Sequence, residues 1–203
     1  MNRKLPTRIG GTLALILLTL AWGRHARAEI MQTTGSLAPG NITFGTEFQA
    51  GVSDPPPFMV NFQEAVGLAS GLDLLLRQGV GLNQAQPIYL GFGLEWTILT
   101  RNASRPGLAL LGGGHYMTSG RGGADLSFLL DYRFGRFVPF VGLDSQLEVG
   151  TGGMQFLLAF LFGGRFQINR HVAWFAEAGL DLTFGGGFAS GRHFLATGPK
   201  ILF

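Results

Sequence analysis

The sequence predicts an all-β fold: an antiparallel up-and-down transmembrane β-barrel of about ten strands. Three observations predict it. Residues 172–184, VAWFAEAGLDLTF, split by parity into two chemistries. Val172, Trp174, Ala176, Ala178, Leu180, Leu182 and Phe184 are apolar, while Ala173, Phe175, Glu177, Gly179, Asp181 and Thr183 are mostly small or polar. A strand sends alternate side chains to opposite faces, so this is a two-faced strand. The second observation is that the pattern recurs along the chain to Phe203. The third is that the apolar face is the larger one, the reverse of what a water-soluble sandwich needs. Lipid outside and a polar interior satisfy both faces.

The first 28 residues read as a secretory signal peptide. Arg3, Lys4 and Arg8 form a basic start, 11–21 is an apolar run too short to span a bilayer as a helix, and Ala26-Arg27-Ala28 is a cleavage site of the A-x-A type. The formal charge of +3 is therefore misleading. Cleavage after Ala28 removes Arg3, Lys4, Arg8, Arg24 and Arg27. That leaves 10 of the 15 Lys and Arg against all 12 Asp and Glu, a net charge of −2. No basic surface remains to attract nucleic acid. The chain has no cysteine, hence no disulfide framework and no thiolate metal site. The part after residue 28 has no apolar run long enough for a transmembrane helix, which excludes a helical inner-membrane protein.

Residues 29–40 read as a short polar leader in the periplasm, and 41–203 as the barrel. Residues 41–52 alternate Ile42, Phe44, Phe48, Ala50 and Val52 with Thr43, Gly45, Glu47, Gln49 and Gly51. The prolines of 53–57, SDPPP, cannot sit inside a ladder, so they mark a turn. Segments 58–67 and 72–82 follow, with LASG between them as a tight turn. Glu64 falls on the outward face in this register, and a bulge would repair that. A helix over 62–76 is the competing reading of this short apolar run, and it would reduce the barrel to eight strands. Segment 88–99 alternates cleanly, Ile88, Leu90, Phe92, Leu94, Trp96 and Ile98 against Tyr89, Gly91, Gly93, Glu95 and Thr97. Then come the turn 101–106, strands 108–117 and 124–134 joined by the glycine-rich 118–123, the turn Gly135-Arg136, strands 137–149 and 154–167, the turn 168–170, strand 172–184, the loop 185–192 and strand 193–203.

An even strand count puts both termini on one side of the membrane, expected to be the periplasm, where turns are short. The outward aromatics fall into two girdles of the kind found at membrane interfaces. Trp96, Tyr132, Phe134, Phe166, Trp174 and Phe203 lie near the ends that share the termini; Tyr116, Phe156 and Phe184 lie near the opposite ends.

The end of the chain, Ile201 and a terminal Phe203, resembles the C-terminal signal of bacterial outer-membrane β-barrels. Taken with the signal peptide and the alternation, the resemblance spans nearly the whole chain. It implies an outer-membrane location, outer-membrane lipid around the barrel, recognition of the last strand by the barrel-assembly machinery, and other envelope proteins as partners. It identifies a class and carries over no functional residue. The segment GLASGLDLLLRQGVGL is similar to hairpins of many Gram-negative envelope barrels.

Nine of the twelve acids point inward in this register: Glu47, Asp73, Glu95, Asp125, Asp131, Asp144, Glu148, Glu177 and Asp181. Arg77, Arg133, Arg165 and Lys200 do the same. Charge is costly on a lipid face, so the interior must hold it, paired or wet. Guanidinium forks match carboxylates, which makes Arg77, Arg133 and Arg165 suited to pairing across the lumen. One reading is a network that fills a narrow lumen; the other is a cation-preferring pore lined by excess carboxylates. Barrels this small are usually filled by their own side chains. The inward Gly79 with Gly81 and Gly91 with Gly93 are small residues that let a tight barrel curve, and no helix follows to make them a nucleotide fingerprint.

His115, Ser119 and Asp125 fall around the end of one hairpin. They could supply a base, a nucleophile and an orienting acid. HYMTSG is loosely similar to the His–Ser signature of outer-membrane lipid A acyl hydrolases. It departs from that signature, with serine four residues after His115 rather than two, and His115 faces inward. Proteases of ten-stranded barrels need paired acids and His on the outer rim; only Asp125 lies near it. His171 and His193 read as turn and interface residues. No metal-ligand spacing occurs, and no cofactor is implied. The leading expectation is a non-enzymatic barrel that anchors, seals or supports an envelope assembly. A narrow pore and an enzyme using His115 are the alternatives.

Overall fold

A computed structural model describes residues 34–52, 58–82, 88–102, 104–150, 153–185 and 188–203. The signal peptide, leader residues 29–33, the SDPPP turn and the loop 83–87 lie outside the described residues.

Ten strands form one closed barrel. They are β1 (Ile42–Gly51), β2 (Phe58–Ala69), β3 (Leu72–Gly81), β4 (Tyr89–Leu99), β5 (Gly107–Met117), β6 (Arg121–Asp131), β7 (Phe137–Gly150), β8 (Gly153–Gln167), β9 (Val172–Gly185) and β10 (Phe188–Leu202). Each pairs antiparallel with its neighbours in sequence, and β1 closes against β10 from Thr43–Leu202 to Gly51–Phe194. The count is ten, and the helix over 62–76 is replaced by the β2–β3 hairpin. Two elements begin earlier than the alternation indicates. β6 starts at Arg121 because Gly122 and Gly123 pair with Val149 and Glu148; β10 starts at Phe188, opposite Gly185. Glycines carry no alternation to read, and neighbouring backbones define these strand ends instead. At the hairpins, Gly71, Gly120 and Gly135 have φ of 79°, 80° and 59°, the left-handed region open to glycine.

One face of every strand is buried and the other bears exposed apolar side chains. Phe92, Leu94, Phe128, Phe160, Phe162 and Leu195 stand on the exposed face. A barrel with its charge inside and leucine and phenylalanine outside is inverted relative to a water-soluble protein, and lipid is the solvent that fits. Of the aromatics expected in the girdle on this side, Trp96, Phe134, Phe166, Trp174 and Phe203 are exposed, and Tyr132 leans on Phe134 with ring centroids 4.8 Å apart.

Glu64 is a correction. No bulge turns it inward. It pairs in unbroken register with Phe44 and Leu76, between the buried Gln63 and Ala65, and the register shift of this hairpin lies beyond it at Gly67/Ala69. Its carboxylate therefore sits on the apolar face. Glu64→Leu should raise stability by about 1 kcal/mol, the lower end of the cost of charge on a lipid face. Urea unfolding in phospholipid vesicles measures this, and a loss of stability would mean that Glu64 has a partner in the membrane.

The interior is less polar than expected. Leu75, Leu111, Leu129, Phe140, Leu161, Phe175 and Phe194 point into it and are buried. The inward glycines make room for these rings. A Cβ on Gly179 would stand 2.1 Å from the Phe194 ring, and one on Gly163 would stand 2.6 Å from the Phe140 ring. Seating aromatics over cross-strand glycines is a recognised device of β-barrels.

Candidate functional site

Two polar centres occupy the lumen, one toward each end. We call the end that holds Thr34 and Phe203, the first and last described residues, the terminal mouth, and the other the loop end.

The loop-end centre is built on Asp125 of β6. Its neighbours are inward residues of β3, β4 and β5, brought round the barrel by the hairpin register. Arg77 Nη2 donates to Asp125 Oδ2 at 2.7 Å, and both side chains are essentially sealed from solvent. His115 Nδ1 lies 2.5 Å from Asp125 Oδ1, so that nitrogen carries the hydrogen and the carboxylate accepts it. Tyr89 packs against His115, ring centroids 5.3 Å apart, and its hydroxyl lies 3.4 Å from Asp125. Arg77 sits 6.0 Å from the Tyr89 ring centroid. On β7, in register with the Gly123 that pairs with His115, Glu148 lies 3.7 Å from His115 Nε2 and 3.5 Å from Arg121 Nε. Around this centre, Asp144 accepts from Ser127 at 2.5 Å and Gln146 at 2.9 Å, and Glu47 accepts from Asn61 at 2.6 Å.

The terminal-mouth centre is built on Asp131 and Asp73. Residues 34–40 do not hang clear of the barrel: they run as a strap into its mouth. Thr34 is fully buried, donating its backbone N–H (2.9 Å) and its hydroxyl (2.6 Å) to the two oxygens of Asp131. Arg101 also pairs with Asp131. Leu37 N–H donates to Asp73, 3.0 Å from the nearer oxygen, and the Leu37 side chain packs on Ala65, Leu75 and Leu111. The strap passes so close to β2 that a Cβ on Gly67 would meet the Ala38 carbonyl oxygen at 2.4 Å.

All nine acids read as inward are buried. Arg77 joins them in an ion pair, while Arg165 and Lys200 are half-buried. Arg133 departs from the buried network. It is exposed at the terminal mouth, and its Nε donates to the Gly135 carbonyl at 3.0 Å. Sequence reasoning missed Arg101, which lies in a turn, and Thr34, whose acceptor is 97 residues away. A polar leader with no periodicity carries no signal for such a contact.

His115 and Asp125 come together as the orienting half of a triad would. Ser119 does not complete it: its Oγ is buried and hydrogen-bonds to no described residue. The nucleophile–base hydrogen bond that would activate a serine is thus missing in this geometry. Among the described residues no group of three His, Asp or Glu side chains could hold a metal ion.

No protein-family model matches the sequence, and no curated protein does. Solved structures do match. A bacterial polysaccharide outer membrane secretin aligns over 80% of this chain at 8% identity and a TM-score of 0.51. The aligned part is 65% of that protein, so the chain spans less than two thirds of its length. The outer membrane protease OmpT of Escherichia coli aligns over 84% of this chain and all of its own, at 9% identity and a TM-score of 0.52. At such identities the likeness is one of fold: the fold is that of bacterial outer-membrane β-barrels.

Proposed function

We propose that this barrel is a small integral outer-membrane protein with a closed lumen and a non-enzymatic role, anchoring, sealing or supporting an envelope assembly. The observation that carries the reading is the Arg77–Asp125–His115 cluster. It joins β3, β5 and β6 inside the lumen with side chains at most 2% exposed, and both oxygens of Asp125 are spent on it, one on Arg77 and one on His115. The strap of residues 34–40 occupies the terminal mouth as a second obstruction. In this reading both termini face the periplasm, outer-membrane lipid surrounds the apolar belt, and the barrel-assembly machinery engages the last strand. The outward face and the turns are then what other envelope proteins hold.

Protein purified from outer membranes and placed in a planar bilayer should give no stepwise conductance. Steps whose cation preference falls on Glu95→Gln would overturn the closed lumen and favour a narrow pore. A catalytic reading has one observation in its favour, the Asp125–His115 pair. Lipid or peptide hydrolysis that disappears on His115→Ala with the barrel intact would bring it forward.

A further inference from the structure

The lumen charges are segregated along the barrel axis. Toward the loop end, Glu47, Asp125, Asp144, Glu148 and Asp181 outnumber the cations Arg77, Arg121 and Arg192. At the terminal mouth the sign reverses. There a cavity of about 380 Å³ opens between the strap and the hairpin turns. Six cations line it: Arg101, Arg133, Arg136, Arg165, Arg170 and Lys200. The lining carboxylates are Asp73 and Glu95, with Asp131 behind Arg101.

These three acids leave a positive excess against six cations: Asp131 is taken by Arg101 and Thr34, and Asp73, which accepts the Leu37 N–H, shares the cavity with Glu95. Arg165, meanwhile, keeps a buried Nε with no hydrogen-bond partner among the described residues. A buried donor on a charged group is costly to leave unmet. Like charges gathered in a concave, partly desolvated space also raise the local potential, which draws counter-ions. The cavity volume falls within the ~300–1,000 Å³ usual for small-molecule sites. Guanidinium groups recognise planar or tetrahedral oxyanions through paired N–H bonds, which chloride cannot accept in the same way.

We infer that the terminal mouth is a binding site for a small polyanion bearing phosphate or carboxylate groups. The ligand enters at the terminal mouth and lies among Arg101, Arg133, Arg165 and Lys200. The acidic loop-end half repels it, so the site holds the anion at the mouth rather than passing it through. The inference stands apart from the closed-lumen reading, since the cavity and its charge are the same whether or not the loop end conducts.

The test is isothermal titration of the protein, purified from membranes in a neutral detergent, with sodium pyrophosphate and separately with sodium citrate. Sodium chloride holds the ionic strength constant. Saturable binding of at least one probe is expected; pyrophosphate alone would assign the site to phosphates, citrate alone to carboxylates. Arg165→Gln should weaken binding at least tenfold. Arg133→Gln, at an exposed position where folding is not at stake, should weaken it several-fold and keeps the test valid if Arg165→Gln does not fold. Arg192→Gln, at the other end of β10, should bind as the parent does. Absence of saturation with both probes, unchanged binding in Arg133→Gln, or an equal loss in Arg192→Gln would each overturn the site.

Discussion

Replacing Arg77 with methionine should destabilise the barrel by about 3–5 kcal/mol, the range seen when one partner of a buried ion pair is removed. Asp125 lies in a part of the lumen where its side chain is wholly buried. Its charge is met by Arg77 on one oxygen and by the His115 ring on the other. Methionine fills much of the volume of the arginine stem but leaves that carboxylate with a histidine and a distant tyrosine hydroxyl. Salt should change the loss little, because a buried pair is poorly screened. Urea unfolding of the protein in phospholipid vesicles measures the effect. Adding Asp125→Asn to Arg77→Met removes the orphaned charge and should restore a large part of the stability. If Arg77→Met unfolds at the same denaturant concentration as the parent, water reaches Asp125, and the closed lumen proposed above fails with it.

This ion pair marks how far the sequence could be read. That Arg77 and Asp125 both face inward follows from alternation, because a one-residue slip would put every charge of a strand into lipid. That they face each other does not follow. They lie 48 residues apart on β3 and β6, and which inward residues meet across a lumen depends on strand tilt and stagger, which no single segment encodes. Where glycine replaced the alternating residues, as at Gly122 and Gly123, the strand end was not legible either, since pairing with β7 sets it. The apolar half of the interior was obscured for a related reason. Phe194 and Phe140 make sense facing inward only beside Gly179 and Gly163, which are near in the sheet and distant in sequence. Glu64 is different: alternation placed it correctly on the outer face, and the bulge invoked to remove it does not exist.

Gly107→Ala should release the strap from the terminal mouth while leaving the barrel closed. Gly107 pairs with Asp131 on the lumen side, directly beneath Thr34. A Cβ there would stand 1.8 Å from Thr34 Oγ1 and 2.8 Å from Asp131 Oδ1, so Thr34 and alanine cannot share the space. Displacing Thr34 breaks both of its hydrogen bonds to Asp131, and a hydrogen bond to a charged group contributes about 1.5–3 kcal/mol. Against that, freeing a few residues regains roughly 1–2 kcal/mol of backbone entropy for each. Loss of the anchor therefore favours the released strap. The nearest atoms are all side-chain atoms of Thr34 and Asp131 and none belongs to the backbone ladder between β5 and β6, so the barrel persists. The chain has no cysteine, which makes Ser36→Cys a unique reporter of nearly the same shape. Its alkylation should speed up at least tenfold when Gly107→Ala is added. Asp131→Asn, which keeps the shape but removes the charge that holds Thr34 and Arg101, should speed it as well. Gly112→Ala is the control, because a Cβ at that position meets nothing within 4 Å. Equal alkylation rates in the parent and in Gly107→Ala would mean that the Leu37–Asp73 contact alone holds the strap, and the Thr34 anchor would lose its role in closing the mouth.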